Sequence, residues 1–287
     1  FNLSKDLARA TQEAAAQARA VGGGGTKLKS SLPVRVKIDH TPKDDPGKID
    51  LGQKKEIAER YNKILLSHPR IASSRVSYLD RTADQFFASS TGSLIEQRRV
   101  FTGITFSATA RDGANVQRAY DSVGDHRGFS NVLALEERVE GVAKRAVELL
   151  SAPKIEGGRY TVILNPKLAG VFAHEAFGHL SEADFIYDNP RIAEKMKIGE
   201  PFGVERLNIV DDGTLLDECG GYAYDDEGVP SQKTYLIRGG RLAGLHPPLR
   251  TGRPLDPRRA PLRAGGDAPP REGGDGHGTG RILRGGR

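Results

Sequence analysis

The sequence predicts an α+β protein: a helix- and meander-built N-terminal α/β portion, one motif helix, and the start of a β-rich half. Three observations carry that expectation. Apolar residues recur at helical spacing from about Gln53 to Ser67, and a second helical pattern runs from Asn131 to about Leu150. From Arg75 to about Asp125 the period shortens, and Val76, Tyr78, Phe86, Phe87, Leu94, Ile95, Val100, Phe101, Ile104 and Phe106 fall into short β-branched and aromatic runs. From His246 onward no hydrophobic period survives.

Taken in order, Ser4 to Ala20 is rich in Ala, Gln, Glu and Arg and reads as a helix capped by Ser4. The glycine run Gly22 to Gly25 ends it as a linker, and lacks the Lys-Ser/Thr ending of a phosphate loop. A short extended piece, Val34 to Ile38, precedes a Pro/Asp turn and the Gln53–Ser67 helix, whose inner face carries Ile57, Tyr61, Ile64 and Leu65. The runs that follow are broken by Asp80-Arg81-Thr82-Ala83, Thr91-Gly92 and Arg111-Asp112-Gly113-Ala114, which predicts an antiparallel meander. Asn131 is the expected cap of the next helix, with Glu136, Glu137, Arg138 and Lys144 on its wet face. A compact strand, Tyr160 to Leu164, and Pro166 lead into the motif helix. Beyond a polar stretch come a strand near Leu207 to Val210 and a hairpin from Tyr235 to Leu242 that turns at Gly239-Gly240.

Composition narrows the classes. Of 287 residues 37% are hydrophobic, enough for a core but below the usual range for a compact globule. No run of eighteen apolar residues exists, so no membrane-spanning helix is expected. The chain opens on Phe1 without a charged leader and apolar stretch, so no signal peptide is visible. A single cysteine, Cys219, excludes an intramolecular disulfide and suits a reducing, cytoplasmic setting. The net charge of +6 and the pI near 9.4 invite a nucleic-acid reading. Residues 246–287, however, hold nine Arg, no Lys, three Asp and one Glu, which accounts for +5 of it. A nearly neutral body offers no footprint for DNA. The Gly/Pro/Arg-rich tail cannot bury enough apolar area to offset chain entropy and is expected to be disordered. Its abrupt onset suggests a reading-frame change in the coding sequence. The expected domains are 1–153, 154–245 and the tail 246–287.

The chemistry concentrates in His174-Glu175-Ala176-Phe177-Gly178-His179. Two imidazoles with a carboxylate between them suit a hydrolytic zinc site: the imidazoles bind the ion as neutral ligands, and the carboxylate handles the proton of an activated water. The spacing departs from the common His-Glu-x-x-His pattern. Histidines five apart lie about 140° from each other on an ideal helix and would not aim at one ion. A π-type turn would return them to one side, and Gly178 lowers the cost of that distortion. A widened or broken turn is therefore expected at Ala176 to Gly178. The apolar neighbours Val171, Phe172, Ala173, Ala176 and Phe177 predict that the helix is buried.

The string Ala169 to Phe185, AGVFAHEAFGHLSEADF, resembles the signature of the TldD/PmbA family, and of its TldD branch in particular. The likeness extends to Val210–Thr214 (VDDGT), Tyr224–Ile237 (YDDEGVPSQKTYLI) and Tyr160–Gly170 (YTVILNPKLAG). It covers roughly Lys154 to Gly244, with the upstream region similar in pattern. The resemblance implies a zinc metallopeptidase acting on unfolded or small peptides, with His174 and His179 as Zn²⁺ ligands and Glu175 as general base. It also implies a homodimer, or a heterodimer with a PmbA (TldE)-like subunit that lacks the metal motif. Family members have been called modulators of DNA gyrase, a name that need not mean DNA binding. Two departures stand out. The family's third ligand is a cysteine well beyond the Asp-Asp-Glu-Gly segment, and no cysteine follows Cys219. Its β-rich C-terminal half is also replaced by the tail, so the chain reads as truncated at both ends, and an inactive fragment or a non-catalytic subunit is the alternative.

The remaining candidates are weaker. Glu182 and Asp184 follow the second histidine and are placed to orient an imidazole proton, or simply to form a polar helix exit. Asp211, Asp212, Asp225, Asp226 and Glu227 lack EF-hand spacing and read as turn residues. Cys219 is expected as a small buried thiol rather than a ligand.

Overall fold

The computed structural model describes residues 3–21, 32–182, 186 and 189–245. The predicted tail, the Gly22–Gly25 linker and Asp184 lie outside the described residues. Helix α1 spans Leu3–Val21, so Ser4 sits inside the helix instead of capping it. Strand β1 (Arg35–His40) leads to α2 (Leu51–Leu66), whose true cap is Asp50: its carboxylate accepts from the Gly52 and Gln53 amides. Three long strands follow, β2 (Ile71–Ala88), β3 (Leu94–Asp112) and β4 (Asn115–Asp125), and then helix α3 (Glu136–Glu148).

The sheet is mixed. β2 and β4 pair antiparallel with β3, as the meander predicts, but β1 runs parallel to β3, with Arg35 opposite Leu94 and His40 opposite Arg99. Since β2 occupies one edge of β3, β1 and β4 share the other end to end. The outer edge of β2 has no strand partner among the described residues. Asp80 to Ala83 does not break β2, contrary to expectation. Polar residues are tolerated there because alternate side chains point away from the core, and Asp80 accepts a 2.7 Å ion pair from Lys54 of α2.

Side-chain alternation along β3 decides the layers. Ile104, Phe106, Ala108 and Ala110 turn to one face and bury against Ile57, Tyr61 and Leu65 of α2 and Val139, Val142, Ala146 and Val147 of α3. The Tyr61 hydroxyl donates to the Val132 carbonyl at 2.8 Å and accepts from the Leu135 amide at 3.1 Å. Asn131 caps nothing. α3 begins five residues later, and the Asn131 amide instead donates to the Thr102 carbonyl and to Asp125, tying a 3₁₀ turn (Phe129–Val132) to β3 and β4.

The opposite face of the sheet is covered by residues 213–231. Gln97 makes a peptide-like pair of bonds with Tyr224, its Nε2 donating to the carbonyl and its Oε1 accepting the amide, both at 2.9 Å. His126 N–H donates to the Asp217 carbonyl at 2.9 Å. Gly228, at φ +76°, turns the chain where a Cβ would run into the Phe87 ring, so no other residue fits there. Asp225 closes that turn by accepting from the amides of Glu227 and Val229 at 2.9 and 2.8 Å, the turn role expected of it.

The last elements form a small second sheet of β5 (Ile209–Asp212), β6 (Lys233–Arg238) and β7 (Arg241–Leu242). The β6–β7 hairpin turns at Gly239 and Gly240 with φ of +58° and +74°, the left-handed pair that a two-residue turn demands. Tyr160–Leu164, expected as a strand, is not one. Val162 is 68% exposed and Ile163 99% exposed, and no edge among the described residues reaches it. A β-rich composition favours a strand only where a neighbour supplies the ladder.

Candidate metal centre

The motif helix begins with α4 (Pro166–Ala173), capped by Asn165, whose side-chain oxygen accepts from the Leu168 amide at 2.8 Å, with Pro166 preset for the first turn. At His174 the α-helix opens into a π turn, His174–Gly178, followed by a 3₁₀ turn, His179–Ser181. The expected widening is present and begins two residues earlier than expected. Its consequence is the one the spacing requires: the His174 and His179 rings come within 4.5 Å of each other, centroid to centroid, at 67°. Glycine at 178 is not forced by space, since a Cβ there would meet the His174 ring no closer than 3.6 Å. Its value lies in the cheapness of the unusual backbone.

One ligand atom each from His174, Glu175 and His179 lies within 4.8 Å of the others, and this is the single such cluster among the described residues. The Nδ1 of His179 stands 2.8 Å from Glu182 Oε1. A carboxylate only accepts, so Nδ1 carries the proton and Nε2 keeps its lone pair free for an ion. Two imidazoles and a carboxylate converging on one point, with one tautomer fixed from behind, fit a borderline-soft divalent ion such as zinc. Asp184, the other orienting candidate, lies outside the described residues.

The helix is not buried as expected. Ala169, Ala173 and Phe177 are covered, but Val171 is 52% exposed and Phe172 59%, and Ala176 and both histidines face solvent. Amphipathic anchoring explains the difference: every fourth residue pins one side only. Phe177 packs edge-on against Phe202 at 5.4 Å and joins a core of Ile186, Met196, Leu236, Ile237 and Leu242. At the other end Lys167 binds Asp121 of β4 at 3.1 Å, and Arg138 of α3 binds the same carboxylate at 2.6 Å. Burial alone would raise the Asp121 carboxyl, but hydrogen bonds from Arg138, the Ser122 amide and Lys167 outweigh it and hold it below the usual range.

Cys219 takes no part in the cluster, nor is it a buried thiol. It is exposed, and its Sγ donates to the Gly124 carbonyl at 3.1 Å. Although the residue as a whole is exposed, partial desolvation of its sulfur, with Asp125 and Glu218 nearby, pushes its pKa up, away from the thiolate that binds metals. Sequence reasoning passed over the residues around it. Arg99, Arg81 and His126 gave no motif, and only their shared side of two paired strands would have flagged them.

A mixed α/β frame thus carries a helix-borne His-Glu-x-x-x-His cluster, a donor set of the kind that binds a divalent metal ion. Residues 44–152 match the PmbA/TldA metallopeptidase central domain and residues 157–264 match the C-terminal domain. The chain belongs to the PmbA/TldD family. It is 39% identical to a metalloprotease of Synechocystis sp. over 86% of this chain and 54% of that protein. It is 29% identical to a zinc metalloprotease TldD homolog of Saccharolobus solfataricus, over 72% of this chain and 48% of that one. The chain thus spans about half the length of the curated relatives it matches. Among solved structures, a proposed modulator of DNA gyrase from Bacteroides thetaiotaomicron aligns with TM-score 0.60 at 18% identity, covering 79% of this chain and 49% of that one. TldE of Thermococcus kodakarensis aligns at 0.51 and 20% identity, covering 81% and 52%. At these identities the likeness shows the fold alone. No described helix is long and apolar enough to cross a membrane.

Proposed function

We propose that this chain carries the catalytic centre of a zinc-dependent peptidase that hydrolyses unfolded or small peptides. The observation that carries the reading is the π turn, which converges His174, Glu175 and His179 to within 4.8 Å. His174 and His179 would hold the ion. When bound, zinc supplies Lewis acidity that polarises a carbonyl and acidifies water. Glu175 is the general base: it accepts the proton of the attacking water and delivers it to the leaving amine. Glu182 is a positioning residue, holding the Nδ1 proton of His179 and so the direction of Nε2. The solvent-facing site suits an extended peptide, whose backbone pairs readily with a strand edge.

The relatives' names support metalloprotease chemistry. The same proposal includes a paired assembly, either a homodimer or a heterodimer with a PmbA/TldE-like subunit, and a cytoplasmic setting. The alternative, a fragment that binds metal weakly and turns nothing over, is favoured by the donor count: two imidazoles and one carboxylate that is also needed as base. Zinc content and hydrolysis of an unfolded peptide by the chain and by Glu175→Gln separate these readings. Stoichiometric zinc in both, with hydrolysis lost only in the variant, supports the peptidase. Absence of zinc, or equal hydrolysis in both, overturns it.

A further inference from the structure

On the sheet face turned away from α2 and α3, a cavity of about 380 Å³ opens between β2 and the covering segment. Its walls are of two kinds. Leu79, Ala83 and Phe101 are apolar, while Arg81, Gln85 and Arg99 are donors. In the strand register Arg81 lies opposite Phe101 and Ala83 opposite Arg99, so the two arginines are diagonal neighbours on one face, roughly 7–8 Å apart at the backbone. Two like charges so placed repel, and no carboxylate among the described residues neutralises either. Arg81 forms no ion pair among the described residues. Arg99 is half-buried, and only Nη2 is used, donating to the Gly221 carbonyl at 2.6 Å and to His126 Nε2 at 3.0 Å.

His126 supplies no negative charge. Its Nδ1 donates to the Val100 carbonyl at 2.9 Å, and burial, with the Arg99 charge adding to it, lowers its pKa. The carboxylates nearest Cys219, Asp125 and Glu218, are both already bound by Arg127. The remaining edges of the Arg99 fork are therefore a planar donor set, partly desolvated and without an acceptor, the geometry that carboxylates match. Beside it the Phe101 ring lies over the paired glycines of β3 and β4, where a Cβ on Gly124 would stand 2.7 Å from Cζ. That fixes an apolar wall next to the cationic one.

We propose that this cavity binds an α-carboxylate flanked by an apolar side chain, as presented by a free amino acid derivative or by the C-terminus of a short peptide. Arg99 and Arg81 take the carboxylate, Gln85 adds an amide donor, and Leu79, Ala83 and Phe101 take the side chain. The volume sits at the small end of the range for ligand pockets, which suits one or two residues. The inference is independent of the peptidase reading, because none of these residues belongs to the metal cluster.

Calorimetric titration of the full chain with N-acetylphenylalanine, with its carboxamide and with inorganic phosphate tests it. Saturable one-site binding of the acid is expected, at least tenfold weaker for the carboxamide, and weakened about tenfold or more in Arg99→Gln and Arg81→Gln. Arg81 has no structural partner among the described residues, so Arg81→Gln keeps the test decisive if Arg99→Gln fails to fold. The tripeptide Ala-Ala-Phe distinguishes the sources: binding as tight as the small acid assigns a peptide end, and its loss assigns a single residue, the carboxylate pocket standing in both. Binding unchanged in Glu175→Gln separates this pocket from the metal centre. No saturable binding, equal binding of the carboxamide, phosphate as the sole ligand, or an affinity unmoved by Arg81→Gln overturns the proposal.

Discussion

The helix-backed sheet and the motif segment are built to different standards. In the first, Tyr61, Leu65, Val132, Val139 and Val142 are fully buried in one continuous core. In the second, six buried residues centred on Phe177 and Ile237 hold the small sheet and the π turn, while Val162, Ile163, Val171 and Phe172 stand in solvent. The contrast separates two tasks. The sheet with α2 and α3 supplies the larger core. The motif supplies donors at a surface, held by one aromatic anchor below and one ion-paired lysine at its start.

The largest effect that sharpens this contrast is a cavity in the first core. Phe106→Ala should cost about 3–5 kcal/mol of unfolding free energy, because Phe106 is 1% exposed and stacks edge-on with Tyr61. Phe172→Ala, 59% exposed, should move stability by no more than about 0.5 kcal/mol. Urea unfolding followed by circular dichroism reads both. Comparable costs would mean that the two regions do not differ as described.

Next in size is Phe177→Ala, about 3 kcal/mol by the same cavity argument, since Phe177 is 8% exposed within the smaller core. Here stability and site should fall together: losing the anchor frees the π turn, and the two imidazoles no longer share a direction. Zinc affinity by competition with a chromophoric chelator should drop alongside the melting temperature. A variant that melts early yet binds zinc as before would show that the turn holds its shape unaided.

The sequence made the elements legible wherever local pattern and tertiary demand agree. α2, the β6–β7 turn and the antiparallel meander follow from spacing and glycine placement, except that β2 runs unbroken through Asp80–Ala83. The π turn was legible too, because two histidines five apart leave no other way to share an ion. Misreadings arose where a partner outside the window decides. Asn131 resembles a helix cap, but Asp125 and the Thr102 carbonyl claim its amide. Tyr160–Leu164 has strand composition and no strand beside it among the described residues. The Arg81–Arg99 pocket was invisible because it exists only once β2 and β3 are in register.

A smaller, local effect tests how the donors are aimed. Glu182→Gln keeps the shape but replaces an acceptor-only group with an amide that can also donate. Without the charge holding Nδ1–H of His179, zinc affinity should weaken roughly 10- to 100-fold, with little change in unfolding free energy because Glu182 is 45% exposed at the side chain. Glu182→Ala should weaken binding at least as much. An unchanged affinity in both variants would leave His179 oriented by the turn alone.

The smallest effect concerns the tether between the two regions. Asp121 receives Lys167 from the motif helix and Arg138 from α3, and its folded-state pKa lies below the ordinary 3.8. A carboxyl depressed on folding contributes stability that is complete above its unfolded value and lost as pH falls through the folded one. The tether should therefore hold unchanged at neutral pH and fail only in acid, below 3.8. In Asp121→Asn the acid limb of the melting curve should flatten, while Lys167→Ala, removing the more exposed partner, should cost at most about 1 kcal/mol. Because Lys167 opens the motif helix and Arg138 belongs to the platform, the two partners are separable. If Lys167→Ala weakens zinc binding and Arg138→Ala does not, the carboxylate acts as a tether of the site; equal effects would make it part of the platform's own packing.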